Sequence, residues 1–217
     1  MSPRAVLFDL DGTLLDSDPY WRQAWGALTT ARLAELPDGA LDDLAGLSTS
    51  DAVFTVHGRL RWDGDVAEDV AWLEAKVGEA LRQHVAWLSG ALRLVTEVRA
   101  AGLATALVTS SSRTLVDSIL PDRRPDLFDV IVCGDDVNHS KPDPAPYLRA
   151  ADLLGLSPSE CVAVEDSSTG IASATAAGCK VVCIGYAGPP CREAVISAST
   201  LDDLNAATLL RLARYGS

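Results

Sequence analysis

The stretch AVLFDLDGT, residues 5–13, sets the reading of the whole chain. An apolar run stops at Asp9, and a second carboxylate, Asp11, follows two residues later, ahead of Gly12 and Thr13. Four apolar residues that end at turn-forming ones fit a strand buried on both faces. Alternation along the strand carries both carboxylates to one side, and Gly12 permits a tight turn. Like charges at the end of a buried strand repel, and loss of water worsens each. A counter-charge is therefore required.

Further short apolar runs occur at 103–108, 130–133, 161–164 and 181–184, each bounded by turn signals. Helical patterns separate the later ones, at 114–120, 145–154 and 171–177. Strands alternating with helices predict an α/β fold with a parallel, doubly wound sheet. Ligands of such sheets bind beyond the carboxyl ends of the strands. Residues 16–88 depart from this pattern. Trp21, Trp25, Leu28 and Arg32 follow helical spacing, as do Val66, Val70, Leu73, Val77, Leu81, His84 and Leu88, and all five tryptophans fall in this segment. The shift predicts a helical domain inserted after the first strand, with hinges at 16–19 and 89–90 and most of the tryptophans in its core.

Composition narrows the partners. The chain has 217 residues and a net charge of −12, which disfavours nucleic acid and anionic membranes. No apolar stretch reaches the ~18 residues of a membrane span. The N-terminus, lacking an apolar leader, runs straight into the first strand, so the expected location is cytoplasmic. The five cysteines fit no common zinc spacing and read as free, mostly buried thiols.

The other strand ends supply the missing chemistry. The second run closes in Thr109-Ser110-Ser111-Ser112-Arg113, where hydroxyls and free N–H groups at a helix start form an anion site. After the third comes Lys141, stiffened by Pro142 and Pro144, a counter-charge for phosphate. The fourth ends in Glu165 and Asp166. Helix capping accounts for one acidic residue there, not for two here and two at the first strand. Four converging carboxylates without His or Cys indicate Mg²⁺. A metal, a lysine and helix-start hydroxyls around carboxylates suit phosphoryl transfer.

These residues resemble the four ordered motifs of the haloacid dehalogenase-like superfamily of aspartyl phosphotransferases. The motifs are DLDGT (residues 9–13), Thr109 closing ALVTSSS, Lys141 in KPDP, and VEDSSTGI (residues 164–171). The likeness spans nearly the whole chain. It implies a Rossmann-like catalytic core, residues 1–15 and 89–217, and a small α-helical cap, residues 16–88, that governs substrate choice. It implies Asp9 as nucleophile and Asp11 as general acid and base. It implies Mg²⁺ held by Asp9, the Asp11 carbonyl and Asp166, with Glu165 beside or on the metal. Thr109 and Ser110 would hold the phosphate, and Lys141 would bridge it to Asp9. The partner would be a small phosphorylated metabolite.

Within that family the pattern favours a phosphatase of the phosphoglycolate phosphatase and β-phosphoglucomutase branch. Members that cleave carbon–halogen bonds lack an aspartate at the position of Asp11. β-Phosphoglucomutases carry a histidine where this chain has Trp21, and an arginine in a cap loop where residues 44–53 have none. Mutase chemistry is therefore the alternative and hydrolysis the expectation. A two-component receiver domain fits worse, because its phosphorylated aspartate lies on a later strand and it carries no long helical insert. A non-catalytic phospholigand-binding module is opposed by the intact set Asp9, Asp11, Lys141 and Asp166. Candidate substrate contacts are Trp21, Trp25, Ser48, Thr49 and Lys76 in the cap, and Arg113 after the phosphate loop. His57, His84 and His139 show no metal spacing.

Overall fold

The architecture follows from apolar strands too short to bury themselves. The computed structural model describes residues 4–37, 39–83, 85–120, 124–185 and 194–212. Its strands are β1 (Ala5–Phe8), β2 (Ala104–Val108), β3 (Val130–Val132), β4 (Cys161–Glu165), β5 (Lys180–Ile184) and β6 (Ala194–Ala198). They form one sheet in the order β3-β2-β1-β4-β5-β6, with every pair parallel. Five of the six correspond to the apolar runs read from the sequence. β6 was not expected. It lies at the sheet edge, with Ser197 exposed and Ile196 and Ala198 only partly buried, so it lacks the unbroken apolar run that marks the others.

Alternation along β1 sends Val6 and Phe8 to one face and Ala5 and Leu7 to the other. The first face packs on Leu94 and Val95 of α4 (Ala91–Ala100) and Leu115 of α5 (Arg113–Ile119). The second packs on Tyr147 and Ala150 of α7 (Ala145–Leu153) and Ile171 and Ala174 of α8 (Ser168–Ala177). Helices thus cover both faces, the doubly wound arrangement expected. A four-residue helix, α6 (Arg124–Leu127), precedes β3, and α9 (Ala206–Arg211) follows β6.

Between β1 and α4 lie α1 (Asp18–Ala31), α2 (Thr49–Leu60) and α3 (Val66–Gln83). Trp25, Leu28, Val53, Val56, Leu73, Val77 and Leu81 are buried together and continue the apolar cluster of the first sheet face. The chain enters and leaves this segment side by side. The Asp16 N–H donates to the Ala86 carbonyl (2.8 Å), and the Leu88 N–H to the Leu14 carbonyl (2.9 Å). Buried Asp69 of α3 accepts from Arg32, just after α1, and from His57 Nε2 of α2 at 2.8 Å. One carboxylate therefore ties all three helices together, and its two partners satisfy its buried charge.

The cysteine reading needs correction. Cys133, Cys161 and Cys179 are reduced thiols, but Cys183 is in a disulfide. An odd cysteine count tolerates a bridge. Cys191 and His84 lie outside the described residues. Among the described residues no helix is long and apolar enough to cross a membrane.

Candidate active site

The parallel sheet brings the ends of β1, β2 and β4 to one edge. Asp9 continues β1, its N–H donating to the Val164 carbonyl at 3.1 Å. Lys141 comes from the loop before α7 and reaches under Asp9. Its Nζ donates to Asp9 Oδ1 (2.6 Å), to Glu165 Oε1 (2.6 Å) and to the Val108 carbonyl (2.9 Å). All three ammonium donors are used, which a lysine 2% exposed requires. Burial pulls the Lys141 ammonium down, but Asp9 and Glu165 raise it further and keep it charged. Glu165, at the end of β4, is fully buried; it also accepts from the Tyr147 hydroxyl and, on Oε2, from Ser167 Oγ (3.3 Å). A side chain at Gly170 would lie 2.1 Å from that carboxylate, so the glycine opening α8 leaves it room.

Asp166 stands beside Asp9. Its Oδ1 accepts from Thr13 Oγ1 at 3.0 Å. Gly12 has a left-handed φ of +80°, and a Cβ there would sit 2.2 Å from Asp166 Oδ2. Glycine is thus needed both for the turn and for the approach of the carboxylate. Burial, then Glu165, push the Asp166 carboxyl up to about 7. Burial holds Asp9 well above its usual value as well, with Glu165 and Asp166 adding to the rise and Lys141 opposing it. One lysine does not neutralise three carboxylates. Oxygens of Asp9, Glu165 and Asp166 lie within 4.8 Å of one another. An all-oxygen, charge-deficient cluster of this kind fits a hard divalent cation.

Asp11 is held differently, with no cation against it. Its Oδ1 accepts from Ser17 Oγ (2.6 Å) and Trp21 Nε1 (3.3 Å). Its Oδ2 accepts from Ser111 Oγ (2.8 Å) and Thr109 Oγ1 (3.4 Å). Helix α1 thus places an indole and a hydroxyl on one oxygen, and the turn after β2 places two hydroxyls on the other.

Above these groups lies a cavity of about 270 Å³. Its floor includes Asp9, Asp11, Ser110, Ser111 and Asp166; its roof includes Trp21, Arg22, Trp25, Asp42, Leu44 and Thr49. Besides the Trp21–Asp11 bond, three further hydrogen bonds span floor and roof. Ser110 Oγ donates to the Gly46 carbonyl (3.1 Å), Ser140 Oγ to Asp51 Oδ2 (2.7 Å), and Ser112 Oγ to Glu74 Oε2.

Of the residues named from the sequence, Asp9, Asp11, Ser110, Asp166, Trp21, Trp25 and Thr49 line this cavity. Thr109, Lys141 and Glu165 are buried immediately behind it. Arg113 does not reach it. The guanidinium is drawn toward β3, where it pairs with Asp136 and donates to the Ile131 carbonyl at 2.9 Å. Lys76 lies over Trp72 beside Glu79, and Ser48 caps α2 through the Asp51 N–H; neither lines the cavity. Sequence reasoning missed Ser17, Ser111 and Tyr147. Ser111 stood in the serine run already noted, and Tyr147 is the one hydroxyl-bearing aromatic in the helix after Lys141. No local pattern marked Ser17.

Known proteins resemble this chain in sequence and in fold. The family model for haloacid dehalogenase-like hydrolases matches residues 3–178. Hexitol phosphatase A of Escherichia coli is 31% identical over 195 residues, covering 85% of this chain and 84% of its own. Protein CbbY of Rhodobacter capsulatus is 33% identical over 193 residues, covering 84% and 85%. The crystal structure of CbbY from Rhodobacter sphaeroides in complex with phosphate superposes with a TM-score of 0.84 at 23% identity, over 97% of this chain and 99% of that one, a likeness of fold. The chain therefore belongs to the haloacid dehalogenase-like hydrolases, and within them to the phosphatases of small molecules.

Proposed function

We propose that this phosphatase hydrolyses a small phosphomonoester through a phosphorylated Asp9, with Asp11 as general acid and then base. The observation that carries the reading is the contrast between the two aspartates. Asp9 Oδ1 rests on the Lys141 ammonium, whereas Asp11 faces only hydroxyls and an indole N–H. A carboxylate fixed by an ammonium is oriented for attack; one that faces the cavity among hydroxyls is placed to pass a proton.

Asp9 attacks phosphorus, the ester P–O bond breaks, and Asp11 delivers its proton to the departing alkoxide. Asp11 then takes a proton from water as that water attacks phosphorus, the Asp9–phosphate bond breaks, and Asp9 is regenerated. The balance is one ester and one water to one alcohol and one phosphate. Ser110 and Ser111 hold the phosphoryl oxygens at the floor. Thr109, tied to the Ser111 N–H at 3.0 Å, fixes that turn. Lys141 orients Asp9 and opposes the upward push that burial gives its carboxyl.

Asp9, Asp166 and the Asp11 carbonyl would hold Mg²⁺, which supplies positive charge against the phosphoryl oxygens when bound. Glu165 already has three donors and is better suited to orienting Lys141 than to ligation. Residues 16–88 would act as the cap that closes over the substrate. Hydrolysis is favoured over mutase chemistry because a sugar bisphosphate intermediate needs a cation in the roof, and the roof's Arg22 is already paired with Asp18 and Asp42.

The test is phosphate release from a broad phosphomonoester panel with Mg²⁺. Asp9→Asn is expected to lower kcat by at least about 10³-fold, in the range of nucleophile deletions elsewhere. Chelation is expected to abolish turnover reversibly. Near wild-type turnover by Asp9→Asn would overturn the nucleophile assignment.

A further inference from the structure

The roof of the cavity carries information about the alcohol that leaves. Among the described residues that line the cavity, Arg22 is the single cation, against Asp9, Asp11, Asp18, Asp42 and Asp166. Arg22 Nε donates to Asp18 Oδ2 at 2.6 Å, and its Nη2 donates to Asp42 Oδ1 at 2.6 Å. Two of the guanidinium's five N–H donors are thus committed to carboxylates of the roof, which share its charge. The remaining cations of the helical segment do not substitute for it. Arg32 is bound to Asp69, Arg59 to Asp43, and Lys76 lies with Glu79; neither these nor Arg61 and Arg82 line the cavity. Lys141 lies beneath Asp9, at the opposite end.

A leaving group with a second phosphate or a carboxylate would meet like charge at this roof, whose one cation is already shared by two carboxylates. The roof does offer carboxylate oxygens that accept from hydroxyls, and the broad apolar surfaces of Trp21, Trp25, Leu44 and Leu47. The geometry points to a substrate whose leaving group is an uncharged polyhydroxy alcohol, without a second acidic group. Its hydroxyls donate to Asp18 and Asp42, and its C–H faces lie on the tryptophans. Exclusion of the second anion is electrostatic, through an acidic pair that neutralises the one cation in reach. This inference rests on the phosphatase reading and narrows its substrate.

The deciding experiment compares two six-carbon substrates that differ at one end, glucitol 6-phosphate and 6-phosphogluconate, with Mg²⁺ and with p-nitrophenyl phosphate as a generic ester. The expected kcat/KM is at least about tenfold higher for the polyol phosphate, the scale of one unpaired like-charge contact. In Asp18→Asn/Asp42→Asn, where Arg22 is released, the carboxylate substrate is expected to gain several-fold relative to the polyol. Equal or better turnover of 6-phosphogluconate by the wild-type protein, with p-nitrophenyl phosphate also hydrolysed, overturns the inference alone. A wild-type preference for the carboxylate that Arg22→Ala abolishes would identify Arg22 as an anion grip and overturn it too. No turnover of any of the three esters overturns the phosphatase reading and this inference with it.

Discussion

Floor and roof of the cavity each contain a cation held between two carboxylates, and the two clusters differ in their contact with water. At the floor, Lys141 and Asp9 have side chains 2% and 9% exposed, and Glu165 is fully buried. At the roof, Arg22, Asp18 and Asp42 are 47%, 65% and 67% exposed. The same pattern of charges therefore does different things. In the floor, where water is excluded, an ion pair is an obligation: removing one partner strands the others. In the roof, solvent screens the pair and its stability contribution is small. The roof's charges bear on what may enter, and the floor's on whether the site exists at all.

Lys141→Met breaks the comparison most severely. It keeps the length of the side chain but leaves Asp9 and Glu165 facing each other without a cation. A loss of about 3–5 kcal/mol is expected by urea unfolding, as for other broken buried pairs, together with loss of turnover. Asp42→Asn removes the corresponding partner in the roof and is expected to cost under about 1 kcal/mol. Similar losses for the two would mean that burial does not separate floor from roof.

The middle-sized effect lies where roof meets floor. Trp21→Phe retains an aromatic ring and deletes the N–H that reaches Asp11 Oδ1 at 3.3 Å, along with the second ring of the indole. A single hydrogen bond of about 0.5–1.5 kcal/mol corresponds to a roughly two- to tenfold fall in kcat. The stability change is expected to be smaller than for Lys141→Met. An unchanged kcat, and an unchanged pH profile of kcat, would remove Trp21 from the proton-transfer step.

The floor was legible in the sequence and the roof largely was not, for a physical reason. A parallel sheet must deliver its carboxyl ends to one edge, so Asp9, Thr109 and Asp166 meet once their strands are recognised. Lys141 follows from the loop beyond β3. The roof has no such rule. Asp18, Arg22 and Asp42 meet through the packing of α1 against a turn twenty residues away, and Arg22 drew no notice in the sequence. Arg113 illustrates the converse error. Its place after the phosphate loop suggested substrate contact, but Asp136 and the Ile131 carbonyl claim it. Edge strand β6 escaped because Ile196 and Ala198 are only partly buried and Ser197 is exposed.

Glu74 provides the smallest and most discriminating test. It projects from α3 to accept from Ser112, the N-cap of α5 next to the phosphate-binding turn. Burial raises its carboxyl above the usual value, and the hydrogen bonds from Ser112 and Thr49 only partly oppose this. A folded-state pKa above the unfolded one means that the folded protein binds this proton more tightly. The resulting stabilisation is complete below the unfolded value of ~4.3 and is lost as pH rises through the folded value. Glu74→Gln keeps an acceptor for Ser112 without the charge. Relative to wild type it is expected to be equal or slightly more stable at pH 7, by under about 1 kcal/mol, with the difference shrinking toward pH 4.5. Urea midpoints at the two pH values measure this. A variant less stable at pH 7 than at pH 4.5, relative to wild type, would show that the ionised carboxylate itself holds α3 to the floor. Glu74 would then behave as the buried floor cluster does, and the division between obligatory floor charge and solvent-screened roof charge would have to be redrawn through α3.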